Sequence, residues 1–262
     1  METVGGLVRY VESLAGHALH SDEGVLWGSP EREVAGVTVC WMGTADAIAY
    51  AGEHGDDLLI VHESLYYPYD VSLDPQSSPG WEVWPVNRGR MGGLERHGLT
   101  VLRLHGTLDE ICVFDDFAQM LELGTAVVAE GLAKVYEIAP CTLDELVARV
   151  KRCTGLPALR VARPAHFRPP IRRVGLPWGG LGLFANVAYQ QSLIELGCDA
   201  FVSGESDNYG LRFAQECGIA TVETSHEVSE NPGLRHFAGM MAEAFPDLTF
   251  RFYENACVWE MK

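Results

Sequence analysis

The 262-residue chain carries an internal repeat. Gly55-Asp56-Asp57-Leu58-Leu59-Ile60-Val61-His62-Glu63-Ser64 returns as Gly197-Cys198-Asp199-Ala200-Phe201-Val202-Ser203-Gly204-Glu205-Ser206. Gly98-Leu99 leads to His105 and, four residues on, Asp109; Gly218-Ile219 leads to His226 and, four residues on, Glu230. Each copy then runs into Phe-Ala-x-Met, at Phe117 and Phe237, both 19 residues past their glycine. Two copies of one pattern must fold on one supersecondary plan, so the repeat limits architecture more than any local signal. It also places imidazoles and carboxylates at equivalent points of two halves.

Periodicity fills in the plan. Apolar residues at helical spacing predict helices over 7–17, 45–54, 114–123, 186–196, 209–217 and 234–244. Thr142-x-x-Glu145 is a capping box opening a further helix, with Leu143, Leu146, Val147 and Val150 on one face and Gly155 beyond its end. Short apolar runs predict strands over 34–41, 58–61, 101–104, 159–162, 173–176, 200–203, 220–223 and 249–253. Alternating strands and helices imply an α/β fold with largely parallel sheets, as two similar lobes over 1–130 and 131–262. In such sheets ligands gather beyond the carboxyl ends of strands, where His62, His105, Glu205 and His226 fall. The first copy is longer by a stretch over 66–87, rich in Tyr, Trp, Pro and Ser. A lid over the site and an oligomer contact are both consistent with it.

A net charge of −17, from 19 basic and 36 acidic residues, argues against a nucleic-acid partner, which would need Lys and Arg to neutralise phosphates. The arginines at 160, 163, 168, 172 and 173 read as a solvated linker. No apolar run is long enough for a bilayer span, and Met1-Glu2-Thr3-Val4 lacks a signal peptide's features, so no membrane partner and a cytoplasmic address are expected. Seven cysteines without a CxxC pair read as reduced, mostly buried thiols.

His62, Glu63, Asp109, His226 and Glu230 supply two imidazoles and three carboxylates, a donor set for divalent ions of borderline hardness. Three other chemistries have weaker signals. Gly204-Glu205-Ser206 has the shape of a nucleophile elbow but lacks its second glycine. Gly180-x-Gly182-x-x-Ala185 suggests a dinucleotide loop, with the acid too far along. His226-Glu227-x-x-Glu230 lacks the second His of a zincin, and Pro232 is expected to interrupt any helix starting there.

With these residues on the page, the chain resembles the Nif-three-like family, the GTP cyclohydrolase I type 2 homologues. The resemblance rests on His62-Glu63-Ser64, His105-Gly106-Thr107-Leu108-Asp109, Ser225-His226-Glu227-Val228-Ser229-Glu230, Gly179-Gly180-Leu181-Gly182 and the stretch over 142–160. It implies a homo-oligomer, a hexameric ring, with two divalent metals per chain between two lobes. Carried over, the ligands are His62, Glu63, Asp109, His226 and a bridging Glu230, with His105 behind Asp109. Glu63 stands where the family has a second His, and Ser64 replaces its Pro. The set is thereby richer in oxygen; iron, manganese and zinc stay open, with iron, manganese or magnesium favoured. The implied activity is metal-dependent hydrolysis of a small molecule, with Glu227 or Glu205 as general base. The other reading is a non-catalytic, metal-dependent binding or regulatory protein.

Overall fold

The computed structural model describes residues 2–69, 71, 76, 78–168 and 170–260. In chain order its elements are α1 (Val4–Ala15), β1 (Gly24–Trp27), β2 (Gly36–Cys40), α2 (Ala45–Glu53), β3 (Leu58–Val61), α3 (Pro85–His97), β4 (Thr100–Arg103) and α4 (Gly106–Leu108). A π-helical segment, Asp109–Val113, joins α4 to α5 (Phe114–Met120). There follow β5 (Ala126–Glu130), β6 (Ala133–Cys141), α6 (Leu143–Thr154), β7 (Arg160–Ala162), β8 (Ile171–Gly175), α7 (Val187–Glu195), β9 (Ala200–Ser203), α8 (Asn208–Glu216), β10 (Ala220–Glu223), α9 (His226–Ala244) and β11 (Thr249–Tyr253).

Two compact units result: Met1–Val113 with Gly233–Asn255, and Phe114–Pro232 with Ala256–Lys262. The division thus falls at Val113, not between 130 and 131, and the chain's last strand belongs to the first unit. The first unit's sheet has the order β1-β4-β3-β2-β11, parallel except for β1. The second has the order β5-β6-β8-β9-β10-β7; its β8-β9-β10 centre is parallel, while β7, β6 and β5 pair antiparallel. The repeat is visible in this topology. β4-β3-β2 in one sheet and β10-β9-β8 in the other share order and sense, and each is flanked by an antiparallel strand.

The repeated residues do repeated work. Gly55 and Gly197, like Gly98 and Gly218, take positive φ where a helix ends and a strand begins. Asp57 accepts from the N–H groups of Ala35 and Gly36, and Asp199 from those of Arg172 and Arg173, so each aspartate braces the neighbouring strand. β3 and β9 are buried throughout, which accounts for their unbroken apolar runs. The capping box at Thr142 and Glu145 is formed. In the first unit, Leu59, Val61, Leu65, Tyr66, Trp81, Leu94 and Val101 share one core cluster. The stretch over 66–87 therefore contributes two aromatics to the core, while Tyr67, Tyr69, Val83 and Trp84 are exposed; residues 70, 72–75 and 77 lie outside the described residues.

The basic linker is partly structured. Arg160 lies in β7 and pairs with Glu223, and Arg163 pairs with Asp144. All seven cysteines are free, but only Cys40, Cys112 and Cys198 are buried. Burial pushes the Cys198 thiol up to about 12. Among the described residues, no helix is long and apolar enough to cross a membrane.

Candidate metal centre

In the first unit the side chains gather past the ends of β3 and β4. His62 is fully buried, and its N–H donates to the Cys40 and Trp41 carbonyls. Its Nδ1 lies 3.0 Å from the Leu104 carbonyl, which only accepts, so Nδ1 carries a proton and, in the neutral ring, Nε2 keeps the lone pair. That Nε2 is 3.7 Å from Asp109 Oδ1. His105 is held in the same manner: Nδ1 is 2.9 Å from Asp22 Oδ2, and Nε2 is 3.9 Å from Glu63 Oε1. His105 thus faces Asp22 and Glu63. The His62 and His105 rings sit 5.0 Å apart.

The backing comes from residues that the sequence reading passed over. Glu23 accepts from the His105 and Thr107 N–H groups and from the Thr107 hydroxyl. Arg103, fully buried at the end of β4, donates to the His62 carbonyl and the Asp22 carbonyl, and lies 3.3 Å from Asp22 Oδ2. Its signal was a charge inside a buried apolar strand, which requires partners. Burial alone would raise the Asp22 carboxyl, but the His105 hydrogen bond and the charges of His105 and Arg103 bring it below its ordinary value.

In the second unit, α9 begins at His226, not at 234. His226 and Glu230 stand one turn apart on one face, with Nε2 3.3 Å from Oε1. Pro232 lies inside α9, seven positions into the helix, without ending it. The entry is tightly built. Ser225 holds a φ of 151°, a conformation unusual for a side-chain-bearing residue, directly before His226. Thr224 is fixed there by bonds from its N–H and hydroxyl to the Ser203 carbonyl. The glycine loop after β8 closes over this pair. A Cβ on Gly179 would come 2.0 Å from Glu230 Oε1, and one on Gly180 would come 3.3 Å from the His226 ring.

His226 carries the chemical argument. Its Nδ1 is 3.1 Å from Glu205 Oε2, so both ring nitrogens face carboxylates. Such a ring either bears two protons or gives one nitrogen to a cation. An imidazole held by a carboxylate behind it and facing a second acid is the usual arrangement around a divalent ion. Donor atoms around one ion stand about 3–3.5 Å apart when bonds are about 2.0–2.2 Å. The 3.3 Å pair falls within that spacing, and the 3.7 Å pair lies just beyond it.

The other expected residues divide. Glu205 orients His226 and is half exposed; Glu227 is buried and accepts from the Val258 N–H. Ser206 is buried, with its hydroxyl 3.1 Å from that of Ser203, so the elbow is a structural turn. Gly182 serves close packing: a Cβ there would meet Ser203 Oγ at 2.2 Å and the Glu205 carbonyl at 2.4 Å. Each unit thus gathers acidic and imidazole groups past strand ends, beyond β3 and β4 in the first and beyond β9 and β10 in the second.

A family model described as Duf34/NIF3 (NGG1p interacting factor 3) matches residues 3–257. The chain belongs to the DUF34/NIF3 family. A Neisseria meningitidis protein named GTP cyclohydrolase 1 type 2 homolog is 27% identical over 220 residues, covering 80% of each chain. A Yersinia pestis protein of the same name is 24% identical, covering 84% of this chain and 83% of its own. Among solved structures, a Staphylococcus aureus hypothetical protein superposes with a TM-score of 0.80 at 15% identity, covering 99% of each chain. A Bacillus cereus protein related to NIF3 gives 0.79 at 13% identity, covering 100% of this chain and 99% of its own. These likenesses establish the DUF34/NIF3 fold.

Proposed function

We propose that this DUF34/NIF3 protein is a metal-dependent hydrolase using two divalent ions, held by His62, Glu63, Asp109, His226 and Glu230. The observation that carries this reading is His226, an imidazole with carboxylates at both nitrogens. The backed rings of His62 and His105 support it. Glu230 is the bridging ligand in this reading, because it is buried and one turn from His226. When bound, the ions supply Lewis-acid polarisation and an acidified water. The chain's own residues orient the imidazoles and take the proton. Glu205 is the better placed base, since its carboxylate remains half exposed while Glu227 is tied to Val258.

The names of the curated relatives point to ring-opening hydrolysis of a guanine nucleotide. The loop after β9 carries Glu205 and Asp207 and no Lys or Arg of its own, and Arg160, which reaches its Ser206 carbonyl, is already paired with Glu223. A less charged guanine substrate therefore suits the site better, and guanosine and GTP should be compared for formate release. Glu230→Ala is expected to lower metal content, read by elemental analysis after purification without chelator, from about two ions per chain. Formate release should fall in parallel by at least about a hundredfold. Glu63→His restores a second imidazole and should raise zinc uptake relative to manganese. Metal content indifferent to both changes removes the centre. Glu205→Gln keeps a hydrogen-bond acceptor for His226, so it should lower kcat by about 10²–10⁴-fold with metal retained. Glu227→Gln should leave kcat close to the wild type.

A further inference from the structure

We propose that His17, His20 and Glu110 form a separate, peripheral site for a transition ion of the zinc, nickel or copper class. Glu110 Oε2 lies 2.7 Å from His17 Nε2, and Oε1 lies 3.2 Å from His20 Nε2. One donor from each residue lies within 4.8 Å of the others. Small side-chain shifts bring them to the spacing of about 3–3.5 Å that an ion imposes.

His17 gives the reason to expect a cation. Its Nδ1 is 2.7 Å from the Ala18 carbonyl while Nε2 faces Glu110. The ring must hold two protons or keep the Nδ1 proton and share an ion with Glu110 through Nε2. The Ala18 carbonyl, and then Glu110, hold the His17 pKa above its ordinary value.

The frame is prepared. α1 ends at Gly16, whose φ is 79° and whose N–H donates to the Glu12 carbonyl. The Leu19 N–H is held by Glu12 Oε1, and the His20 N–H by Glu23 Oε2. The His20 ring lies over Gly106, where a Cβ would come within 3.0 Å of its Cδ2. Glu110 follows Asp109 on the π segment, and consecutive helical residues project differently, so Asp109 approaches His62 while Glu110 faces the 17–20 loop. Two imidazoles and one carboxylate suit zinc, nickel or copper. The partial exposure of all three leaves a coordination position to water. An ion here would brace the segment that carries Asp109.

The test uses zinc and copper ions alone as probes, in a full-length His62→Ala/Glu230→Ala background, so that it stands apart from the proposed centre. One Cu(II) per chain is expected, with electron paramagnetic resonance couplings from two imidazole nitrogens. Adding His17→Ala and His20→Ala should abolish that ion and its couplings. Glu110→Gln, which preserves shape and hydrogen bonding, should weaken zinc at least tenfold. Unchanged stoichiometry in the double variant, or a copper signal without two nitrogen couplings, overturns the proposal.

Discussion

Single residues hold the three imidazoles by bonding the far side of each ring. Leu104 fixes His62, Asp22 fixes His105 and Glu205 fixes His226. Asp22 is the most testable of these, because its native pKa lies below its ordinary value. A carboxyl of that kind contributes stability above the unfolded value of about 3.9, and the contribution is lost as pH falls through the native value. Unfolding free energies of wild type and Asp22→Asn should therefore differ in favour of the wild type at neutral pH, and converge in acid. A gap that persists at pH 2 would assign Asp22 a role other than charge. At this scale the repeat made the candidate residues legible, because both copies put an imidazole and a carboxylate four residues apart. It concealed the support: Asp22, Glu23 and Arg103 act across more than 80 positions, and no local pattern records such a distance.

The elements were legible where periodicity and caps agreed, as in α2, α6, β3, β9 and β10. They were missed where two local signals conflicted. The β5–β6 hairpin turns at Gly131, and Pro140 lies where the β6–β8 register shifts between Glu137 and Cys141, so β6 did not read as a central strand. α9 was shortened by giving Pro232 its usual helix-breaking weight. The same helix holds a controlled comparison. A Cβ on Gly233 would meet the Val113 backbone at 2.4 Å, whereas Gly239 has open space around it. Gly239→Ala should stabilise by about 0.5–1 kcal/mol through helix propensity. Gly233→Ala should instead destabilise by about 1–3 kcal/mol, because overpacking against backbone outweighs propensity. Chemical unfolding of the two variants reads the opposite signs.

Across the whole molecule, the repeat predicted two similar lobes, and the shared strand order of the two sheets matches it. What the repeat did not reveal is where the chain ends up. A strand's own residues specify that it is a strand, but its neighbour is chosen by packing, so β11 gave no hint of pairing with β2. The family resemblance adds an expectation of self-assembly. If the 66–87 stretch is an oligomer contact rather than a lid, the contact would include Val83 and Trp84, which are 68% and 40% exposed. Val83→Glu with Trp84→Glu should reduce the mass measured by light scattering to that of a smaller species, at unchanged helix content. An unaltered mass would place the contact elsewhere.

Because β11 (Thr249–Tyr253) closes the outer side of β2 (Gly36–Cys40), that side stays uncovered during synthesis until residue 253 has left the ribosome. Until then the nascent Gly36–Cys40 segment, buried at every position in the finished protein, presents a bare hydrogen-bonding margin to other chains. A split gene or a proteolytic nick between the halves would leave the leading fragment permanently in that sticky state.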